Sequence, residues 1–99
     1  MAEIIWTEPA LSDLNDIAEY IALEHLVAAK QLVHTVFSKV ERLERFSQSG
    51  RIPPELEHLS YREVVVAPCR VFYKQDADKV FILFVMRVER DLRKFLLNK

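Results

Sequence analysis

The sequence predicts an α+β fold of order β-α-α-β-β-β, with a helical hairpin packed on a mostly antiparallel sheet and a short C-terminal helix. Three observations predict it. The first half carries apolar residues at helical spacing over two long stretches. The second half carries three runs of β-branched and aromatic residues. Between them, "SQSGRIPPELEHL" holds Gly50, Pro53 and Pro54, which end helices and forbid a central strand. Ninety-nine residues fit one domain, residues 1–99, and a hydrophobic fraction of 51% excludes a disordered chain. A domain of this length buries under about 70% of its unfolded surface, so its stability margin is thin and a stabilising partner matters.

Each element has its own cause. "EIIW", Glu3–Trp6, is a short β-type run. Thr7 stands where a helix N-cap belongs, and Pro9 falls in the first turn, where a missing N–H is harmless. Ala10, Leu14, Ile17, Ala18 and Ile21 then recur on one face and predict a helix over 8–24, with Asp13, Asp16 and Glu19 turned to water. A break at 25–27 separates it from a second helix over 28–46. There Ala29, Val33, Val36, Val40 and Leu43 form a narrow seam widened by Leu32, Phe37 and Phe46. The seam is too short for a coiled coil, so the two helices form a hairpin within the chain.

After the irregular connector 47–59, strands are predicted over 61–67, 70–74 and 80–86, with corners at Pro68-Cys69 and at "DAD", 76–78. "VFILFVM" is apolar at every position, as a central strand covered on both faces should be. Leu92, Phe95 and Leu96 at i, i+3 and i+4 predict a terminal helical turn or two.

Composition narrows the function classes. A single glycine leaves no phosphate-binding loop. His25, His34 and His58 are scattered and Cys69 is alone, so neither a metal site, a bound cofactor nor a disulfide framework is expected. The acidic N-terminal stretch is unlike a signal peptide, and no apolar run reaches the ~18 residues of a membrane helix, so a soluble, cytoplasmic chain without membrane partners is expected. Net charge is −1 but unevenly spread. Residues 1–60 hold ten acids against five bases, and residues 61–99 hold five acids against nine bases. The basic half suggests a surface that faces anions or carboxylates.

The arginines are the residues that stand out. Within its strand Arg62 shares a face with Val64 and Val66, and Arg70 shares one with Phe72 and Lys74; Arg87 and Arg90 follow the last strand. A guanidinium holds carboxylates and phosphates but does not act as a base, since its pKa lies above about 12. The plainer reading of the set is ion pairs to Glu63, Glu89 and Asp91.

Taken together and in order, "IIWTEPALSDLNDIAEYI", the helical hairpin, "YREVVVAPCRVFYK" and "VFILFVMRVERDL" resemble the ParE branch of the ParE/RelE toxin superfamily of bacterial type II toxin–antitoxin modules. The resemblance spans nearly the whole chain and rests on Trp6, Ala10, Asp13, Leu14, Ile17, Tyr20, Ile21, "PCRVFY" and "RD" at 90–91. It implies a RelE/ParE-like fold and a toxin of a kind associated with plasmid stabilisation. RelE-like members cut messenger RNA on the ribosome, whereas ParE-like members are linked to poisoning of DNA gyrase.

The nuclease pattern of the RelE class maps to Arg62, Val64, Arg70, Arg90 and Leu96, so its arginines survive while a lysine and a tyrosine are lost. General acid–base help is worth about 10²–10⁴-fold, so no catalytic residue is expected. If the chain were a nuclease, Arg62, Arg70 and Arg90 would carry it. Arg87 and Val88 stand where many ParE-like chains have histidine and glycine.

The expected function is therefore gyrase inhibition, neutralised by a cognate antitoxin in a hetero-oligomer, with DNA reached only through the antitoxin. An mRNA nuclease and a non-toxic binding module of the same fold are the alternatives. The expected partner surface is one apolar groove between the hairpin and the sheet, built from Arg62, Val64, Val66, Arg70, Phe72, Arg87 and Arg90.

Overall fold

A computed structural model describes residues 1–88. Its elements run β1 (Glu3–Trp6), α1 (Glu8–Ala22), α2 (Leu26–Glu41), β2 (Tyr61–Val66), β3 (Cys69–Asp76) and β4 (Lys79–Arg87), with 3-10 turns at Arg42–Glu44 and Pro54–Leu56. The four strands form one sheet in the order β1-β4-β3-β2. The two hairpin pairings, β2 with β3 and β3 with β4, are antiparallel, and β1 joins β4 in parallel. Both helices pack on one face, so the α+β reading holds. The terminal turn expected at Leu92, Phe95 and Leu96 lies outside the described residues.

The helix boundaries move slightly. Thr7 caps α1 as expected, its Oγ1 accepting from the Ala10 N–H at 3.4 Å. The break keeps its length but falls two residues earlier, at 23–25. His25 leaves the helical conformation, at φ −140 and ψ 81, and α2 starts at Leu26. The regular helix ends at Glu41, where the chain tightens into the 3-10 turn Arg42–Glu44. In the sheet, Cys69 is not a corner residue. The two-residue turn is Ala67-Pro68, and Cys69 opens β3 fully buried.

One core fills the space between helices and sheet. Ala10 and Leu14 from α1, Leu32, Val36 and Val40 from α2, and Val66, Val71, Tyr73, Val80, Ile82 and Val85 from the sheet build it. Trp6 and Phe37 close one side, their ring centroids 4.7 Å apart. As expected, β4 lies inside the sheet between β1 and β3.

Asp13 departs from its predicted role. Strand β1 pairs with β4 only as far as Trp6 opposite Ile82, which leaves the rest of that side of β4 without a strand. The N-terminal part of α1 takes over. Thr7 Oγ1 donates to the Ile82 carbonyl at 2.6 Å, and Asp13 Oδ2 accepts the Val85 N–H at 3.2 Å. Buried backbone groups need partners, so an acid that looked solvent-facing on the helix became a partner for the strand.

Candidate functional site

Strand geometry decides where the arginines go. Side chains alternate across a sheet, and cross-strand partners point to the same face. The β2–β3 register pairs Val66 with Cys69, Val65 with Arg70, Val64 with Val71, Glu63 with Phe72 and Arg62 with Tyr73. Arg62, Val64 and Val66 therefore share the helix-covered face with Cys69, Val71 and Tyr73. Arg70 and Phe72 share the opposite face with Glu63 and Val65. Arg87 pairs with Cys69 and so returns to the helix side, at the far end of the sheet.

The single groove expected from the sequence does not form. Arg62 and Arg70 lie on opposite faces, Val66 and Phe72 are buried in two different clusters, and Arg90 lies outside the described residues. The physical reason is the hairpin register. Alternation within each strand was read correctly, but the two-residue turn at Ala67-Pro68 sets β3 so that its even-numbered positions face away from the even-numbered positions of β2.

On the open face Arg70 is the hub of a buried ionic cluster. Its Nε donates to Glu63 Oε1 at 3.0 Å and its Nη2 to Glu63 Oε2 at 2.8 Å. Its Nη1 and Nη2 reach Glu55 Oε2 and Oε1, both at 2.9 Å. Four of the five guanidinium N–H groups are thus committed to two carboxylates. The Glu63 side chain is 0% exposed, that of Arg70 7% and that of Glu55 28%. Arg51 adds a further contact to Glu63 at 3.2 Å. The guanidinium carbon of Arg70 also sits 4.9 Å from the Phe72 ring centroid. Hydrogen bonds from Arg70 hold the Glu55 carboxyl down to about 2. Glu63 first, then Glu55, raises Arg70 above its ordinary value, so the hub stays charged.

The connector is irregular but firmly held. The backbones of Arg51 and Glu63 exchange hydrogen bonds at 3.0 and 2.8 Å, forming a one-residue antiparallel bridge on β2. Tyr73 Oη accepts from the Gly50 N–H and donates to the Ser47 carbonyl, both at 2.9 Å. Burial raises the Tyr73 hydroxyl above the usual phenol value. Arg62 Nη1 donates to the Gly50 carbonyl at 2.9 Å, so this arginine buttresses the connector. Gly50 has to be glycine here. A Cβ at this position would fall 2.5 Å from Tyr73 Oη and 2.7 Å from the Glu63 carbonyl oxygen.

Arg87 lies with its guanidinium carbon 5.7 Å from the Tyr20 ring centroid of α1. Ion pairing was foreseen for Glu63. The expected pairs to Glu89 and Asp91 lie outside the described residues. Sequence reasoning missed Glu55, Arg51, Gly50 and Tyr73. The usable signal was a lone glycine followed by an arginine, with a glutamate just past the double proline, in a connector that had to cross the sheet edge. Among the described residues no group of three or more histidine, cysteine or carboxylate side chains could hold a metal ion. No helix among them is long and apolar enough to cross a membrane.

Comparison with known proteins adds an independent line. Residues 4–92 match the family described as "ParE toxin of type II toxin-antitoxin system, parDE". The chain is 29% identical to "Toxin RelE2" of Caulobacter vibrioides over 93 residues, covering 94% of this chain and 99% of that protein. A solved structure titled "Chromosomal ParDE TA system from P. aeruginosa" is similar in fold, with a TM-score of 0.78 and 22% identity over 90% of this chain and 98% of that one.

Proposed function

The chain belongs to the ParE toxin family of type II toxin–antitoxin systems, and from that premise we propose that it arrests growth by binding DNA gyrase in the bacterial cytoplasm, without cutting RNA. Membership in the family implies an antitoxin as partner. In this reading the antitoxin neutralises the toxin in a hetero-oligomer, and DNA is reached only through it.

The observation that supports a non-hydrolytic toxin is the state of Arg70. A ribonuclease needs a cation free to take the scissile phosphate and a group able to move protons. Arg70, the strand arginine that would do the first, is held by two carboxylates, and the nearer-surface one is pulled to a low pKa, far from the range useful for proton transfer at neutral pH. Arg62, the second candidate, binds a backbone carbonyl on the other face of the sheet.

A second reading, cleavage of messenger RNA on the ribosome, has one point in its favour, the similarity to the Caulobacter protein named Toxin RelE2. The two are separated by parallel assays. Purified chain added to gyrase should abolish supercoiling at micromolar concentration and accumulate cleaved DNA, while primer extension after induction should show intact transcripts. Untouched supercoiling together with A-site cuts would replace the first reading by the second.

A further inference from the structure

We propose that the outer edge of β1, beside a small acid-rimmed pocket at the end of α2, is the surface that grips the toxin's protein target, taking an extended segment that carries a lysine or arginine as an added strand. The inference rests on the reading above, that the chain arrests growth by binding a protein, and adds the chemistry of the contact.

Two observations meet at this place. The first is an open edge. Strand β1 pairs with β4 on one side and ends the sheet on the other. The Glu3 N–H donates to the Asp78 carbonyl at 2.8 Å and the Thr7 N–H to the Ile82 carbonyl at 3.2 Å, so residues 3, 5 and 7 turn their backbone groups inwards. Ile4 and Trp6 therefore present N–H and C=O outwards. Ala2, the outward residue before them, is already tied, its N–H donating to the Glu44 carbonyl at 2.9 Å. No strand among the described residues covers Ile4 or Trp6. An edge with uncovered donors and acceptors is a template for one more strand.

The second observation is the pocket beside that edge. Ile4 and Trp6 lie opposite Val80 and Ile82, so their side chains point to the helix side of the sheet. There they line a pocket of about 190 Å³ with Phe37 and Val40, and Glu41 and Glu44 complete its wall. Phe37 stays 40% exposed. Neither glutamate has an ion pair among the described residues. Two aromatic rings with uncommitted carboxylates beside them suit a long cationic side chain, its stem on the rings and its head on the acids. A strand added to β1 sends every other side chain to this side, over the pocket, so one basic peptide satisfies both features. A nucleic acid does not, because its phosphates meet Glu41 and Glu44 and bring no donor for the outward carbonyls. A second copy of the chain would set the same carboxylates against each other.

The test uses the full chain and the double variant Glu41→Lys, Glu44→Lys. Both side chains lie outside the apolar core, and the Glu44 carbonyl keeps its bond to Ala2, so the thermal melt and the affinity for the antitoxin should be unchanged. Growth arrest without antitoxin should be lost. Affinity for purified gyrase should fall about 10–100-fold, because attractive charges at an interface have become repulsive. In the complex of the unaltered chain with gyrase, the Ile4 and Trp6 amides should exchange more slowly than in the free chain.

The two proposals fall separately. If gyrase is untouched by the unaltered chain while the variant still loses growth arrest, the gyrase reading falls and the edge remains the target surface. A folded variant that arrests growth as before overturns the inference whatever gyrase does, as do Ile4 and Trp6 amides that exchange equally fast in the gyrase complex. So does a variant that loses the antitoxin, or a free chain whose dimer protects these amides. An unaltered chain that does not arrest growth overturns both proposals.

Discussion

The two faces of the sheet are sealed by different physics. Towards the helices, Val71, Tyr73, Val80, Ile82 and Val85 meet Ala10, Leu14, Val36 and Val40, and the seal is apolar area removed from water. On the other face the apolar set is small: Leu56, Phe72 and Met86, flanked by Tyr61 and Phe84. Beside it the same strands carry Arg70 and Glu63, and the connector brings Glu55 to join them. An apolar seal tolerates loss by degrees. An ionic cluster that is out of water is much less forgiving, because removing one member strands a buried charge. The difference teaches that the connector belongs to the core of this molecule as firmly as the helices do.

The sharpest way to break this contrast is Arg70→Met. It leaves Glu63 buried without its main counter-ion, and unfolding free energy from denaturant titration should fall by about 3–5 kcal/mol. Adding Glu63→Leu should recover most of that loss, since no buried charge then remains unpaired. If the single variant loses under 1 kcal/mol, the cluster is not what holds this face.

Next in size is Tyr73→Phe, which leaves the buried Gly50 N–H and the Ser47 carbonyl without their partner. Stability should drop by about 1–3 kcal/mol, and the amides of the connector should exchange faster.

The rim of the cluster has a pH signature. The Glu55 carboxyl is lowered in the folded chain from 4.5 to about 2. A depressed carboxylate contributes its full stabilisation above the unfolded value and loses it as pH falls through the folded one. Melts of the native chain relative to Glu55→Gln should therefore differ by about 1–2 kcal/mol above pH 5 and converge as pH falls towards 2. A constant difference across that range would mean that Glu55 does not carry the charge assigned to it.

The smallest effect belongs to the apolar face. Ile82→Val removes one methylene from a fully buried site and should cost about 0.5–1.5 kcal/mol, independent of salt and pH. A salt-dependent loss there would blur the distinction between the faces.

Much of the fold was legible because it is local. Helix spacing marked Ala10, Leu14, Val36 and Val40 as core, Thr7 announced its own cap, and the unbroken apolar run Val80–Met86 announced an interior strand. The arginine site was legible only in kind. That Arg70 would pair with Glu63 could be read from charge and strand propensity, but that Arg62 would not join it could not. Their separation follows from a two-residue turn and the register it imposes, and a one-residue slip would have exchanged the faces. Glu55 was hidden for another reason. Fifteen residues from Arg70 in an irregular segment, it has no periodicity to mark it, and only the folded connector brings it to 2.9 Å.

By itself, then, the order of residues determined the two helices, the three-strand run after them and the family, because periodicity, capping and turn chemistry act between near neighbours. Tertiary structure alone decided which arginine is buried, which acid satisfies a strand, and which edge of the sheet stays open. Those outcomes depend on cross-strand register and on where a connector lands, and both are settled by packing over distances that no local pattern records.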